Sequence, residues 1–321
     1  MLPTRQLSSK NNLLLAFDAF GTLFEPNLPI PQAYGRAALR HGITFVDKPE
    51  HELVPKDYQP VKESFSRAFK FESARNPNYG NATGLGAEKW WANVIQGTFK
   101  PFLKSSQNVP DTLISELLTR YSTKEGYNLF PDVLPLFRML QRRRATQNHS
   151  DSSWKWDRTV VGIITNSDDR VPSVLESFGL KIGARRVGSP AQRTAEARMD
   201  DDISFVVLSY DVGNEKPDRR IFEAAEGMLK ETLAEGGTDA ESQSIDGYEK
   251  LYVGDSFDKD YQGAKAAGWD ALLLQREAGR EQTPRLTKVD AAELTEGKSD
   301  GTRVDACTSL EALQFWVPKV Q

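Results

Sequence analysis

Six polar residues in four separated segments are of the types that perform catalysis or bind metal, and most of them follow an apolar stretch of strand length. In chain order they are Asp18, Thr165, Asn166, Lys216, Asp255 and Asp260. Leu13–Phe17 is a continuous apolar run that stops at Asp18, and Gly21 follows, as in a buried parallel strand that ends in a turn. Because ligands bind at the carboxyl ends of strands in an open parallel sheet, we expect these residues to share one site.

Asp18 is the candidate nucleophile of this set. An aspartate on a tight turn can attack an electrophilic centre and form a covalent ester or acyl phosphate, provided that the charge on the transferred group is neutralised. The ammonium group of Lys216, the hydroxyl of Thr165 and the amide of Asn166 are the side-chain groups that we expect to hold the transferred group. Phe20 and Thr22, in the turn after the nucleophile, are further candidates for substrate contact.

The same segments predict a magnesium site. A hard divalent cation prefers oxygen ligands, and Asp18, Asp255 and the backbone carbonyl of Phe20 supply three of them, with water completing the shell. Such an ion would shield the attacking carboxylate from an incoming phosphate. We expect Lys216 and Asp260 to form a supporting ion pair.

The elements that must position these residues alternate between strands and helices. From about residue 29 to residue 128 the pattern is helical, with Pro and Gly breakers and nothing strand-like. Later strands are predicted at Val160–Ile164, Ile203–Leu208, Leu251–Gly254 and Ala271–Leu274, and helices at Pro131–Arg144, Arg170–Phe178, Asp218–Leu229 and Tyr261–Ala267. The polar stretches 145–158, 191–202, 235–244 and 282–303 are predicted to be loops or surface insertions. This order indicates an α/β fold with a doubly wound parallel sheet and a helical insertion.

Composition excludes several classes of function. The net charge of −4 and the pI near 5.6 give no electrostatic footprint for nucleic acid or an anionic membrane. No apolar stretch approaches the length that crosses a bilayer. Cys307 is the only cysteine, which excludes an internal disulfide, fits a reducing compartment and favours the cytoplasm, with the nucleus as the alternative. Residues 1–12 lack acids and weakly resemble a mitochondrial presequence, but they are too few. The oligomeric state is not predicted.

The four segments together resemble the motifs of the haloacid dehalogenase superfamily. Asp18–Leu23 reads D-A-F-G-T-L, a strand ends at Thr165, Lys216 precedes Pro-Asp, and Asp255 follows a glycine with Asp260 five residues later. The resemblance implies hydrolysis of a small molecule through an aspartate nucleophile, with magnesium as cofactor. It spans most of the chain, and its strength lies in the joint occurrence of the motifs, since each alone is weak.

Several shorter stretches, some of them in the helical region, resemble one branch of this superfamily, haloacid dehalogenase-like hydrolase domain-containing protein 3 and its relatives. They are Pro77-Asn78-Tyr79-Gly80, Gly84-Leu85, Trp90-Trp91 with Val94, Thr98-Phe99, and Asp260-Tyr261-Gln262-Gly263. The resemblance implies a Rossmann-like core of residues 1–26 and 129–321, with a helical cap of residues 27–128 inserted after the first motif. Asn78 and Tyr79, in a turn bounded by Pro and Gly, are candidate specificity residues. Trp90 and Trp91 are predicted to pack mainly within the cap, because adjacent helical residues cannot both face one pocket.

Phe20 departs from the pattern of the superfamily's phosphatases, which carry a second aspartate at this position as general acid and base. Its loss typically costs about 10²–10⁴-fold in rate. The superfamily's dehalogenases show an aromatic residue here, because halide departs without a proton. Those enzymes work without metal and lack the equivalent of Asp255, and the insert offers no clear match for their halide-binding arginine.

Three functions therefore stay open from the sequence. The leading one is a magnesium-dependent hydrolase in which Asp18 attacks a small phosphorylated substrate, with reduced efficiency because of Phe20. The second is a 2-haloacid dehalogenase. The third is a binding or regulatory protein without turnover, since a fold does not fix a function.

Overall fold

The structure, a computed structural model, describes residues 12–145, 154–188, 190–193, 201–235, 244–276, 284–294 and 301–318. Its strands are β1 (Asn12–Phe17), β2 (Phe24–Pro26), β3 (Tyr127–Leu129), β4 (Arg158–Thr165), β5 (Ile182–Arg186), β6 (Ile203–Leu208), β7 (Tyr248–Gly254), β8 (Asp270–Leu274), β9 (Leu286–Asp290) and β10 (Arg303–Cys307). Eight of them form one sheet in the order β5-β6-β4-β1-β7-β8-β10-β9. Its neighbouring strands are parallel except β9 and β10, which are antiparallel. The predicted α/β class is confirmed.

Helices cover both faces of this sheet. Those described are α1 (Ile30–Arg40), α2 (Gln59–Arg75), α3 (Ala87–Phe99), α4 (Asp111–Arg120), α5 (Val133–Ala145), α6 (Val171–Ser177), α7 (Pro190–Arg193), α8 (Ser209–Val212), α9 (Arg219–Glu235) and α10 (Gly263–Ala266). Residues of α5 and α6 belong to the apolar cluster on one face, and residues of α9 and α10 belong to the cluster on the other. The layers are therefore helix, sheet, helix, as in a Rossmann-like fold.

Strand β1 shows why its sequence is apolar without interruption. Leu13 and Leu15 enter one of the two clusters, and Leu14 and Ala16 enter the other. Successive side chains of a strand point to opposite faces, so a central strand with helices on both sides buries every position.

The register of the central strands brings the candidate site together. Phe17, the last residue of β1, pairs with Ile163 of β4 and with Val253 of β7. Because the three strands are parallel, the residues that follow them emerge at the same edge of the sheet. Asp18 and Asp255 are thereby neighbours although 237 positions separate them along the chain.

A helical insert, residues 27–126, lies between β2 and β3. The antiparallel pairing of Phe24 with Leu129 brings its entry and exit together. All of its residues are described, and they form α1 to α4 with short 3-10 turns and no strand. Ile95 and Leu113 of the insert belong to the same apolar cluster as Phe17, so the insert and this face of the sheet share one core. The domain boundaries and the role of a cap stay predictions.

Some elements differ from the sequence-based expectation. The strands β2, β3, β5, β9 and β10 were not predicted. β2 and β3 have three residues each, and β3 begins at Tyr127, inside the stretch 29–128 that was predicted to contain no strand. β5 carries the fully buried Arg185, and β9 and β10 are short strands in or beside the stretch 282–303, which reads as polar. Trp154 and Trp156 are buried although they lie in the stretch 145–158, predicted to be a polar loop. The predicted helix Tyr261–Ala267 is instead a π-helical turn, Phe257–Gln262, followed by α10.

The remaining observations concern the residues outside the description, membrane-spanning helices and the single cysteine. Residues 1–11, which make up most of the presequence-like stretch, lie outside the described residues. So do the ranges 146–153, 194–200, 236–243, 277–283 and 295–300, most of which belong to the predicted surface insertions. Within the described part of the chain, no helix has the length and apolar character required to span a membrane. Cys307, the only cysteine of the sequence, is buried.

Candidate active site

Lys216 is the centre of a buried charged network. Its ammonium group donates three hydrogen bonds of 2.7 Å each, to Asp18 Oδ1, to Asp260 Oδ1 and to the hydroxyl of Tyr252. Burial alone would lower the pKa of Lys216, but the charges of Asp18 and Asp260 outweigh it and raise that pKa. The lysine therefore stays protonated, and all three of its N–H groups are engaged.

Tyr252 is a member of this network that the sequence analysis missed. Its hydroxyl donates to the backbone carbonyl of Ile164 at 2.6 Å and accepts from Lys216. Burial, followed by the charge of Asp260, raises the pKa of Tyr252 well above its usual value, so it stays a phenol. In the sequence, Tyr252 stands inside an apolar strand and cannot be told from a core residue. The only signal was its hydroxyl, because a buried tyrosine hydroxyl usually needs a hydrogen-bond partner.

Asn166 positions Lys216 through the backbone. Its amide nitrogen donates to the carbonyl of Lys216 at 3.0 Å, and its amide oxygen accepts from the Lys216 N–H at 2.7 Å. This double contact joins the loop after β4 to the loop that carries the lysine. Thr165, at the end of β4, is almost completely buried beside it, and its hydroxyl makes no hydrogen bond with the described residues.

Three carboxylates gather beside the lysine. One oxygen from each of Asp18, Asp255 and Asp260 can be chosen so that all lie within 4.8 Å of one another. Desolvation, followed by the negative charges of Asp18 and Asp260, raises the pKa of Asp255 to about 6. Three carboxylates against one ammonium group leave an excess of negative charge when all are ionised. This donor set of oxygens fits a hard divalent cation such as Mg²⁺.

Two glycines make room for these carboxylates. A Cβ atom on Gly21 would lie 2.2 Å from Asp255 Oδ2, and one on Gly254 would lie 2.3 Å from Asp260 Oδ2. Gly21 also has a φ of 74°, which a residue with a side chain adopts at a cost. The close approach of backbone to carboxylate therefore requires glycine at both positions.

Both carboxylate oxygens of Asp260 accept hydrogen bonds. Its Oδ2 accepts from the Ser256 N–H at 2.9 Å, while Oδ1 faces Lys216. Burial is the largest effect on the pKa of Asp260 and raises it, and the opposing charge of Lys216 does not fully offset that effect. The hydroxyl of Ser256, and not Asp260, caps the π-helical turn by accepting from the Lys259 N–H.

The predicted substrate-contact residues lie in different surroundings. Phe20 packs edge-on against Phe24, with ring centroids 4.7 Å apart, and lines the cavity described below. Thr22 is fully buried, and its hydroxyl has no partner among the described residues. Asn78 donates to the backbone carbonyl of Tyr210 at 3.1 Å, across the junction between insert and sheet. Asn78 and Tyr79 have φ values of 49° and 56°, an uncommon conformation for residues with side chains.

A cavity of about 180 Å³ opens between the insert and this edge of the sheet. Its lining residues are Phe20, Pro26, Ile30, Tyr34, Phe65, Tyr79, Trp91, Ile95, Leu117, Leu118, Tyr121, Tyr127, Asn166, Ser167 and Arg170. Seven of the fifteen are aromatic. Trp91 therefore faces the cavity. Trp90 is instead buried within the insert, where its indole N–H donates to the carbonyl of Asn76. Of the two adjacent tryptophans, one lines the pocket and the other packs in the core of the insert.

Arg170 and Asp168 form a second buried ion pair, which the sequence analysis did not find. Arg170 Nε and Nη2 each donate to Asp168 at 2.8 Å, and the guanidinium lies 4.4 Å from the ring centre of Trp91. Asp168 is completely buried. The signal was an acid two residues before an arginine, which is common on surfaces.

The chain is similar in sequence to a protein family and to several known proteins. The family described as haloacid dehalogenase-like hydrolase matches residues 13–268. An uncharacterised hydrolase from Schizosaccharomyces pombe is 28% identical over 272 residues, which are 84% of this chain and 93% of that protein. Haloacid dehalogenase-like hydrolase domain-containing protein 3 from Bos taurus is 23% identical over 261 residues, 81% of each chain.

Solved structures are similar at lower identity. A HAD phosphatase from Thermococcus onnurineus is 18% identical, with 84% of this chain and 90% of that chain covered at a TM-score of 0.44. The resemblance drawn from the motifs is confirmed by the family match, which spans well over half of the sequence. The chain belongs to the haloacid dehalogenase-like hydrolase family.

Proposed function

We propose that this protein is a magnesium-dependent hydrolase that uses Asp18 as nucleophile on a small phosphorylated molecule. The observation that carries the proposal is the contact of Lys216 Nζ with Asp18 Oδ1 at 2.7 Å. It fixes one carboxylate oxygen, while Oδ2 accepts no hydrogen bond from the described residues. An aspartate that is oriented in this way, with one oxygen that accepts no hydrogen bond, is suited to in-line attack.

The reaction would have two steps. Asp18 attacks phosphorus, a bond from its oxygen to phosphorus forms, and the bond from phosphorus to the leaving oxygen breaks. Water then hydrolyses the acyl phosphate, which releases inorganic phosphate and restores Asp18. Lys216 stays protonated throughout and holds the carboxylate in position, and Asn166 holds the lysine's backbone in place.

Asp18, Asp255 and the carbonyl of Phe20 are the proposed ligands of Mg²⁺. When bound, this ion would neutralise charge on the phosphoryl oxygens and on the carboxylates. The fit rests on the three carboxylates that gather beside a single ammonium group and on the glycine that accommodates the carboxylate of Asp255. Asp260 would stay with Lys216 and Ser256, because both of its oxygens are already engaged.

A specific observation favours a second candidate, 2-haloacid dehalogenation. Phe20 supplies no proton, and halide needs none on departure. Against it, Asp255 adds negative charge where a halide would leave, and Arg170 is already paired with Asp168. We therefore place phosphoryl transfer first.

Release of phosphate and of halide, measured in parallel, tests the proposal. Acetyl phosphate, a panel of phosphate esters and 2-chloropropionate would be offered with Mg²⁺ or with chelator. We expect phosphate release that requires Mg²⁺ and is abolished by Asp18→Asn, while Asp111→Asn, an exposed aspartate of α4, leaves it unchanged. Halide release that chelator does not affect would replace the proposal with dehalogenation. Mg²⁺ binding without turnover of any substrate would favour a binding protein.

A further inference from the structure

We propose that the cavity between insert and sheet holds the leaving group of the substrate, and that this group is a single aromatic ring. The substrates would then be phosphate monoesters of phenols. This inference rests on the proposed function, since it assumes phosphoryl transfer to Asp18. It adds the chemical class of the alcohol, which neither the family nor the motifs specify.

The position of the cavity connects it to the nucleophile. Phe20 lines it and stands two residues after Asp18, and Asn166 lines it next to Thr165. Both come from loops at the same edge of the sheet, because β1 and β4 are paired in parallel up to Phe17 and Ile163. The cavity therefore opens beside the loop that carries Asp18, and the ester group of a phosphate held there can extend into it.

The size and walls of the cavity suit one ring. An apolar cavity of about 150 Å³ is large enough to take up benzene in another protein, and this one measures about 180 Å³. Its aromatic lining residues are Phe20, Tyr34, Phe65, Tyr79, Trp91, Tyr121 and Tyr127. Rings packed edge-on or offset against aromatic walls gain energy beyond simple burial. A nucleoside would exceed the available volume.

Two polar side chains of the cavity are committed to protein partners. Asn166 uses its amide on the backbone of Lys216, and Arg170 uses two of its nitrogens on Asp168. The hydroxyl of Tyr121, by contrast, is buried and has no partner among the described residues. The size and the aromatic walls of the cavity, rather than its polar groups, therefore favour a ring.

Leaving-group chemistry points in the same direction independently. With phenylalanine at position 20, the structure offers no acid where the superfamily's phosphatases have one, so the departing oxygen must leave as an anion. A phenol has a pKa of about 10, and its anion is a far better leaving group than the alkoxide of a sugar. In the proposed step the bond from phosphorus to the phenol oxygen breaks as the bond to Asp18 forms, and the phenolate takes a proton from water.

Phosphate release with Mg²⁺ from phenyl phosphate, glucose 6-phosphate and acetyl phosphate tests this proposal. We expect kcat/KM for phenyl phosphate to exceed that for glucose 6-phosphate by about 100-fold or more. Leu118→Phe, which adds volume to the cavity wall, should lower kcat/KM for phenyl phosphate by about tenfold or more. It should leave acetyl phosphate unaffected, because a two-carbon acyl group does not need the cavity. Leu53→Phe, at a half-buried leucine of the insert outside the cavity, is the matched control.

Ile95→Trp fills the same cavity from α3 and provides a second variant in case Leu118→Phe misfolds. Circular dichroism would report misfolding of either variant. If wild type hydrolyses acetyl phosphate through Asp18 but the filling variants leave phenyl phosphate unaffected, the aryl proposal is overturned and the proposed function stands. Equal rates on glucose 6-phosphate and phenyl phosphate overturn it as well. If Asp18→Asn leaves every hydrolysis unchanged, the proposed function itself fails.

Discussion

The indole Nε1 of Trp91 donates a 2.7 Å hydrogen bond to Oδ2 of Asp168, which lies 77 residues away in the chain. Trp91 belongs to α3 of the insert, and Asp168 follows β4 at the catalytic edge of the sheet. The same carboxylate holds Arg170, whose guanidinium stacks on the indole. One buried carboxylate thus connects the insert to the sheet and supports one wall of the cavity.

Trp91→Phe should destabilise the fold because it removes this hydrogen bond while keeping an aromatic ring for the guanidinium. Hydrogen bonds to charged groups contribute about 1.5–3 kcal/mol, and we expect a loss of that size in the free energy of unfolding. Urea denaturation measures it. Trp156→Phe is the control, because Trp156 is buried but its Nε1 makes no hydrogen bond with the described residues. Equal losses in the two variants would mean that the bond contributes nothing beyond packing.

The ion pair of Asp168 should make stability depend on pH in the acid range. Burial acts to raise the pKa of Asp168, but the charge and hydrogen bonds of Arg170 outweigh it and lower that pKa below its usual 3.8. A lowered carboxylate pKa stabilises the folded state fully above the unfolded value, and this contribution is lost as the pH falls through the folded value. The stability advantage of wild type over Asp168→Asn should therefore be constant from pH 7 to about 5 and shrink below about 4. An advantage that grows on acidification would contradict this assignment.

The sequence predicts the grouping of Asp18 and Asp255 because its signals are local. Asp18 directly follows one buried strand and Asp255 directly follows another, so the parallel sheet alone brings them together. Lys216 lies eight residues beyond the end of β6, and its signal is the Pro-Asp that follows it rather than a strand end. The predicted ion pair of Lys216 with Asp260 is present at 2.7 Å. A carboxylate that ends an apolar run is recognisable without any knowledge of distant contacts.

The cavity could not be predicted because its key contacts join distant segments. Trp91 and Asp168 look ordinary within their own helix and loop, and only the docking of α3 against the loop after β4 gives them partners. Arg170 lies two residues from Asp168 in the sequence, as in many surface ion pairs. Burial distinguishes this pair from a surface pair, and the insert provides that burial. Tyr252 is hidden for a different reason, since a tyrosine in an apolar strand usually serves as core.

Tyr252→Phe should lower kcat and leave KM unchanged, because Tyr252 is a positioning residue for Lys216 and lies too deep to touch substrate. Its removal leaves one N–H of Lys216 unpaired and frees the ammonium group to shift from Asp18. We expect kcat to fall about fivefold, since one hydrogen bond contributes about 1 kcal/mol. Steady-state kinetics on acetyl phosphate would measure both constants. Tyr248→Phe, four residues earlier on β7, should change neither, and a rise in KM alone would contradict a positioning role.

Gly21→Ala should weaken magnesium binding by displacing Asp255. The new Cβ would lie 2.2 Å from Asp255 Oδ2, so the carboxylate must move. Gly42→Ala is a matched control, because Gly42 has a φ of 75° and nothing lies within 4 Å of the new Cβ. Both variants should lose about 1–2 kcal/mol of stability from the left-handed backbone. Only Gly21→Ala should weaken Mg²⁺ affinity in isothermal titration calorimetry, and equal affinities in the two variants would remove Asp255 from the metal site.

Phe20→Asp should restore the missing proton donor and change which leaving groups the enzyme accepts. Positioned acids contribute about 10²–10⁴-fold to rate, so kcat/KM for an alkyl phosphate should rise by a factor toward the lower end of that range. For substituted phenyl phosphates, the wild-type rate should increase steeply as the pKa of the phenol falls, because the phenolate leaves unaided. The aspartate variant should flatten that dependence by protonating the poorer leaving groups.

Phe20→Asn separates acid catalysis from the loss of the ring, because it has nearly the same shape as Phe20→Asp but no titrating proton. Both variants remove the edge-on contact with Phe24, so both should bind the phenyl group less tightly. Only the aspartate should flatten the dependence on leaving-group pKa. If the asparagine variant flattens it equally, the ring of Phe20 and not the lack of an acid limits the reaction, and the chemical argument for phenols as leaving groups would lose its basis.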